Sequence, residues 1–118
     1  MGVGRFDSLL LLSFGGPEGP DDVLPFLRQV TSGRGVPDER LALVAEQYAQ
    51  FGGKSPINDL NRQLLEAVQQ ELAVRGHDLP AFWGNRNWHP FVSETLDAMQ
   101  SAECRSTVCV VTSAFSSY

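Results

Sequence analysis

Hydrophobic residues first gather in "DSLLLLSF", residues 7–14, where four leucines in a row stop at Gly15-Gly16-Pro17. An unbroken apolar run of strand length suits a strand covered on both faces, as in a parallel sheet. In "GPDDVLPFLRQV" either Asp21 or Asp22 can serve as a helix N-cap, with Pro25 expected in the first turn, where a missing N–H costs little. That predicts a short helix ending near Val30. "VPDERLALVAEQYAQFGG" has the clearest helical period: Pro37 opens it, Leu41, Val44, Ala45 and Tyr48 share a face, and Gly52 can close it in the left-handed region. Asn58 or Asp59 can cap a third helix running to Gly76. In it Leu60, Leu64, Val68 and Leu72 recur every fourth residue, with Leu65 beside them, and this stripe is expected to pack inward. "LPAFWGNR" reads as a second strand, "HPFVSETLDAM" as a helix from Pro90, and "STVCVVTSAF" as a third, β-branched strand.

Strand, helices, strand, helix, strand is the alternation of a doubly wound α/β fold, a parallel sheet with right-handed crossovers. Ligands of such sheets sit beyond the carboxyl ends of the strands. The segments to inspect are therefore residues 14–17, 85–89 and 113–118. The 118 residues, 42% hydrophobic, suffice for one core and one domain. A formal charge of -5 and the lack of any Lys/Arg run argue against nucleic acid or an anionic membrane as partner. The Leu9 to Leu12 run is too short to span a bilayer and has neither the flanking charge nor the cleavage site of a signal peptide, so a cytoplasmic protein is expected, without stable membrane insertion. Cys104 and Cys109 match neither a metal knuckle nor a disulfide framework and are read as reduced thiols.

"FGGKSPIN", residues 51–58, contains Gly-Lys-Ser and invites a phosphate-binding reading. A P-loop needs GxxxxGK[ST] between a strand and a helix, so that backbone N–H groups converge on the phosphates. Here the preceding residues belong to a predicted helix, and Pro56 stands where the P-loop helix would already be running. The stretch is instead a helix end joined to a loop that presents Lys54, Ser55 and Pro56. His89, directly before Pro90, has no second histidine or paired carboxylate near it in sequence and is expected to cap a helix or lie at the surface. No metal ligands are expected in the chain.

Together "LLSFGGPEGPDDVLPFL", "YAQFGGKSPIN", "GNRNWHPFVSETLDAM" and "TSAFSSY" resemble the N-terminal part of a ferrochelatase, most of all the actinobacterial coproporphyrin branch. The resemblance covers almost the whole chain. It implies a chelatase-like sheet, with residues 1–118 as the N-terminal part of the first Rossmann-type domain. It also implies insertion of Fe(II), as substrate, into coproporphyrin III to give coproheme. Ser55 matches a porphyrin-binding serine whose hydroxyl can bond a propionate or orient its loop. Phe14 stands where some relatives carry an iron-ligating tyrosine; it cannot ligate iron, and either lines the porphyrin face or is a core aromatic. Tyr48 matches a position near the pocket and equally suits the buried helix face. Thr31 and Gln47 replace arginines that hold propionates in some relatives, leaving Arg34 or Arg86 as substitutes. The family's catalytic histidine and glutamate belong to later motifs, so no catalytic residue is expected in this chain, which reads as a fragment without activity of its own. A [2Fe–2S] cluster, present in some branches, would have no ligands here. The alternative is a non-catalytic α/β module that binds a tetrapyrrole or another small metabolite in the same crevice.

Overall fold

The computed structural model describes residues 6–112. Its elements are β1 (Ser8–Ser13), α1 (Pro20–Val30), α2 (Asp38–Ala49), α3 (Ile57–Val74), β2 (Ala81–Asn85), α4 (Val92–Ser101) and β3 (Thr107–Val111). The predicted alternation is present. All three strands are parallel, in the order β2-β1-β3, with Leu11 between Trp83 on one side and Val110 on the other. β1 is thus the central strand, which is why its leucines are needed on both faces: Leu9, Leu10 and Leu11 are all buried.

The chain steps from β1 outward to β2 and then returns across β1 to β3. With right-handed crossovers, that reversal puts the connecting helices on opposite faces. Leu64, Leu65 and Val68 of α3 lie over Leu9 and Leu11. Val92 and Thr95 of α4 pack against Gly84, on the face that the even-numbered residues of β1 share. A second apolar cluster, Val23, Phe26, Leu27 and Leu41, joins α1 to α2 beside the carboxyl end of the sheet.

Several boundaries depart from the sequence reading. α1 begins at Pro20, a good first helical residue, so Asp21 and Asp22 lie in its first turn instead of capping it, and Pro25 falls inside the helix. Pro25 is tolerated because both it and Asp21 face outward, leaving the Asp21 carbonyl open to solvent. α3 starts at Ile57, one residue before the expected cap, and neither Asn58 nor Asp59 caps it. Its inward face is also turned. Asn58 and Asn61 are buried and Leu65, Val68 and Leu72 half-buried, while Leu60 and Leu64 are 58% and 42% exposed. α4 begins at Val92, with Phe91 in the cap position, two residues beyond the expected start at Pro90. The end of the third predicted strand and the 113–118 segment lie outside the described residues.

Candidate functional site

Beyond the carboxyl end of β1, residues 14–19 pass between two other segments. On one side Arg86 N–H donates to the Ser13 carbonyl (2.9 Å) and Asn87 N–H to that of Phe14 (3.0 Å), so the loop after β2 continues the parallel ladder past the strand ends. On the other, the Ser55 N–H donates to the Pro17 carbonyl at 2.9 Å, and Glu18 forms an isolated antiparallel bridge with Lys54. The two glycine-containing loops are therefore backbone-paired. Gly53, at φ 71°, passes so close to Pro20 that a Cβ there would lie 2.5 Å from its Cα. Any side chain would force the loops apart.

Buried polar groups anchor this end of the sheet. Asn58, fully buried, donates from Nδ2 to the Gly16 carbonyl at 2.8 Å. Asn61 donates to the Ser13 hydroxyl (2.8 Å) and to the Ile57 carbonyl (2.9 Å). These bonds explain the rotation of α3: its first turn is fixed by amide contacts to β1 and the following loop, not by Leu60. Asn85, also fully buried, accepts from Trp83 Nε1 (3.0 Å) and donates to the His89 carbonyl (3.3 Å).

At the rim, Arg62 donates to Glu18 and, at 2.7 Å, to Asp59, and its guanidinium lies 5.2 Å from the Trp83 ring centroid. Hydrogen bonding to Glu18 is the main cause that raises the Arg62 pKa. Lys54 Nζ lies 2.9 Å from Asp59. Bonds from Lys54 and then Arg62 hold the Asp59 carboxyl below its ordinary range. The lysine that gave residues 51–58 their P-loop look is thus paired with a carboxylate, and the preceding element is the helix α2, not a strand.

The sequence-derived site residues fall around this loop pair. Phe14 is half-buried against the α1–α2 cluster, edge-on to Phe26 at 6.3 Å between centroids. Tyr48 packs on the same cluster, and its carbonyl accepts from the N–H groups of Phe51 and Gly53, which terminates α2. Ser55 Oγ accepts from the Ile57 N–H at 3.3 Å and lies against Gly16. Among the described residues that hydroxyl donates to nothing, so its proton is available to an added acceptor.

Thr31 uses its hydroxyl on the Leu27 carbonyl (2.7 Å), and Gln47 and Arg34 are exposed. His89 is exposed with Nδ1 2.9 Å from Glu94 Oε1. That oxygen also accepts from the Phe91 N–H (3.1 Å), so the residue that closes the start of α4 is Glu94, not His89. The Phe91 N–H, then His89, hold the Glu94 carboxyl below its ordinary range.

Cys104 is half-buried and Cys109 exposed, both free, and among the described residues no group of three or more His, Cys, Asp or Glu could hold a metal ion. Among the described residues no helix is long and apolar enough to cross a membrane. An apolar cleft of about 110 Å³ between α3 and the sheet, lined by Leu9, Leu11, Leu64, Leu65, Val68 and Val110, lies away from the strand ends. It is well below the roughly 300–1,000 Å³ of a ligand pocket and reads as a packing gap.

From the sequence Asn58 is expected only as a helix cap, and Asn61 and Asn85 are given no role. Amides carry no hydropathy signal; the available clue was two asparagines one turn apart at the start of a helix, next to a glycine-rich loop.

The ferrochelatase family model matches residues 7–118. The chain is 61% identical over 116 residues to a coproporphyrin III ferrochelatase of Frankia alni, covering 98% of this chain and 29% of that protein. Those of Streptomyces coelicolor and Mycolicibacterium smegmatis are 57% and 56% identical over 113 residues, 96% of this chain and 30% and 33% of theirs. The chain thus spans about a third of the length of these relatives. With a family match over nearly its whole length, the chain belongs to the ferrochelatase family.

Proposed function

We propose that the chain is the N-terminal part of a cytoplasmic coproporphyrin III ferrochelatase, and that it supplies one side of the porphyrin site. The single observation that carries this reading is the identity of 56–61% to proteins of that name over 96–98% of the chain. Iron is the substrate: Fe(II) enters the macrocycle as two pyrrole protons leave, giving coproheme. The task of this segment is to bind and orient the tetrapyrrole at the carboxyl end of the sheet. Phe14 offers an apolar ring, Ser55 a hydroxyl proton for a propionate, and Tyr48 fixes the turn that carries Ser55. Preset groups of this kind contribute to catalysis by holding the reacting geometry.

The base that removes the pyrrole protons belongs to the rest of the protein. His89 is tied to Glu94, and His77 is exposed in the turn after α3. The described residues do not fit a [2Fe–2S] cluster, whose ligands would have to come from elsewhere.

Iron insertion into coproporphyrin III, followed by the change in the porphyrin Soret band, tests the proposal. The full-length protein carrying this segment is expected to insert iron, and the 118-residue chain alone to remain at the protein-free rate. A full-length protein without insertion activity would overturn the reading in favour of a non-catalytic tetrapyrrole- or metabolite-binding module.

A further inference from the structure

The loop after β2 carries Trp88, whose indole Nε1 donates to Asp22 Oδ2 at 3.3 Å. The same oxygen accepts from the Glu18 N–H at 3.1 Å, so one carboxylate atom of α1 ties together the loop after β1 and the loop after β2. Trp88 is also held from below. Gly15, at φ 92°, leaves room that a Cβ would fill, 3.1 Å from the Trp88 Cβ and backbone N and 2.9 Å from the Asn85 Cβ. Trp88 packs at right angles on Phe26, with centroids 6.0 Å apart, and Phe26 in turn packs on Phe14. Trp88 is only half-buried.

We propose that Asp22 is a positioning residue that holds the Trp88 indole as an aromatic wall of the tetrapyrrole site, in line with Phe14. This rests on the porphyrin-binding reading above. The geometry favours a binding role over simple packing for a physical reason. A buried indole N–H takes a hydrogen-bond partner in any role, but here the rings of Phe26, His89 and Phe91 and a carboxylate oxygen that also holds the Glu18 N–H together keep the ring from rotating while one part of it stays open. A hydrogen bond at its polar edge does this without covering the ring. A flat aromatic macrocycle is the ligand that such a wall suits.

The test uses the full-length protein and titration with coproporphyrin III, followed through the Soret band, with thermal unfolding of every variant. Asp22→Asn keeps an acceptor for the indole and is expected to bind within about twofold of wild type, with the same bound Soret maximum. Asp22→Ala is expected to bind about tenfold more weakly, with its bound Soret maximum moved toward that of the free porphyrin. Trp88→Phe keeps an aromatic ring but has no N–H for Asp22, and is expected to lose about as much affinity; it serves as the second variant should Asp22→Ala not fold. Wild-type-like affinity and spectrum in Asp22→Ala or in Trp88→Phe would overturn the inference. So would equal losses in Asp22→Asn and Asp22→Ala, or losses that only follow the unfolded fraction. If the wild-type protein itself binds no coproporphyrin III, the porphyrin-binding reading is what has failed.

Discussion

The middle of the sheet and its carboxyl end are built from different materials. Halfway along β1 the buried side chains are aliphatic, with Leu10 and Leu11 at 6% and 2% exposure. A few residues later they are polar: Ser13, Asn58, Asn61 and Asn85 are buried as deeply, and each makes a hydrogen bond to a partner on another segment or within its own loop. Aliphatic burial is non-directional and gives stability without fixing where any one loop lies. A buried amide is favourable only when its partner is in place, so it ties loop position to folding. The change in material falls where an open α/β sheet binds ligands. The carboxyl end is therefore built to hold two loops in register, and the middle to keep the sheet together.

Substitutions in the two regions should separate these roles. Leu11→Ala, in the central strand, is expected to have the largest effect, about 2–5 kcal/mol of lost stability, with porphyrin affinity unchanged in the molecules that remain folded. Urea unfolding alongside coproporphyrin III titration reads both quantities. Ser55→Ala in the full-length protein is expected to do the reverse. Losing one hydrogen bond to a charged propionate is worth about 1.5–3 kcal/mol, roughly a ten- to hundredfold weaker coproporphyrin III Kd, with little change in Tm. A lowered Tm with affinity within twofold of wild type would instead assign the hydroxyl to the Ile57 N–H alone. Asn58→Ala should fall between the regions. It leaves the buried Gly16 carbonyl unpaired, at a cost of about 1–3 kcal/mol, and should also weaken porphyrin binding because the loop loses its anchor. Loss of stability without loss of affinity would place Asn58 with the aliphatic core.

The smallest effect belongs to the amino-terminal end of β1, far from the loops. Asp7 accepts hydrogen bonds from the Arg105 and Ser106 N–H groups and the Ser8 hydroxyl, and the Arg105 bond is the main cause that lowers its pKa. A lowered carboxyl pKa in the folded state contributes stability that is complete above the ordinary value, near pH 4, and is lost as pH falls through the lowered one. Asp7→Ala should therefore unfold at a slightly lower temperature than wild type at neutral pH. That gap should close in acid, and a Tm difference independent of pH would discount the carboxylate.

Where hydrophobic pattern decides structure, the sequence was readable. The run at Leu9 to Leu12, the α2 period through Leu41 and Tyr48, and the β-branched stretch at Thr107–Val111 each lead to the observed element, and their order leads to the doubly wound sheet. Where polar groups decide, it was not. The leucine period of α3 pointed to Leu60, Leu64, Val68 and Leu72, with Leu65, as the inner face; Leu65, Val68 and Leu72 do lie half-buried, but amide bonds from Asn58 and Asn61 to Gly16 and Ser13 turn the helix so that Leu60 and part of Leu64 are exposed. The start of α1 was misplaced for a similar reason, since Asp22 bonds to the Glu18 N–H and to Trp88 and so belongs to the loop network rather than to a cap. At the candidate site, the placement of Phe14 at the strand end and Ser55 in the loop could be read from spacing. That β1's following loop and the 51–56 loop would pair through Ser55 and Pro17 could not, because backbone bonds leave no trace in residue type.

Ring-current shifts test the central claim most directly. Bound coproporphyrin III displaces the amide resonances of residues close to the macrocycle, so a titration of the isotope-labelled full-length protein maps where it sits. The largest shifts are expected at Phe14, Gly15, Gly16, Ser55 and Trp88, with none at Leu65 and Val68 beside the α3 cleft. Shifts centred on α3, or a titration that leaves the strand-end loops unmoved, would contradict it.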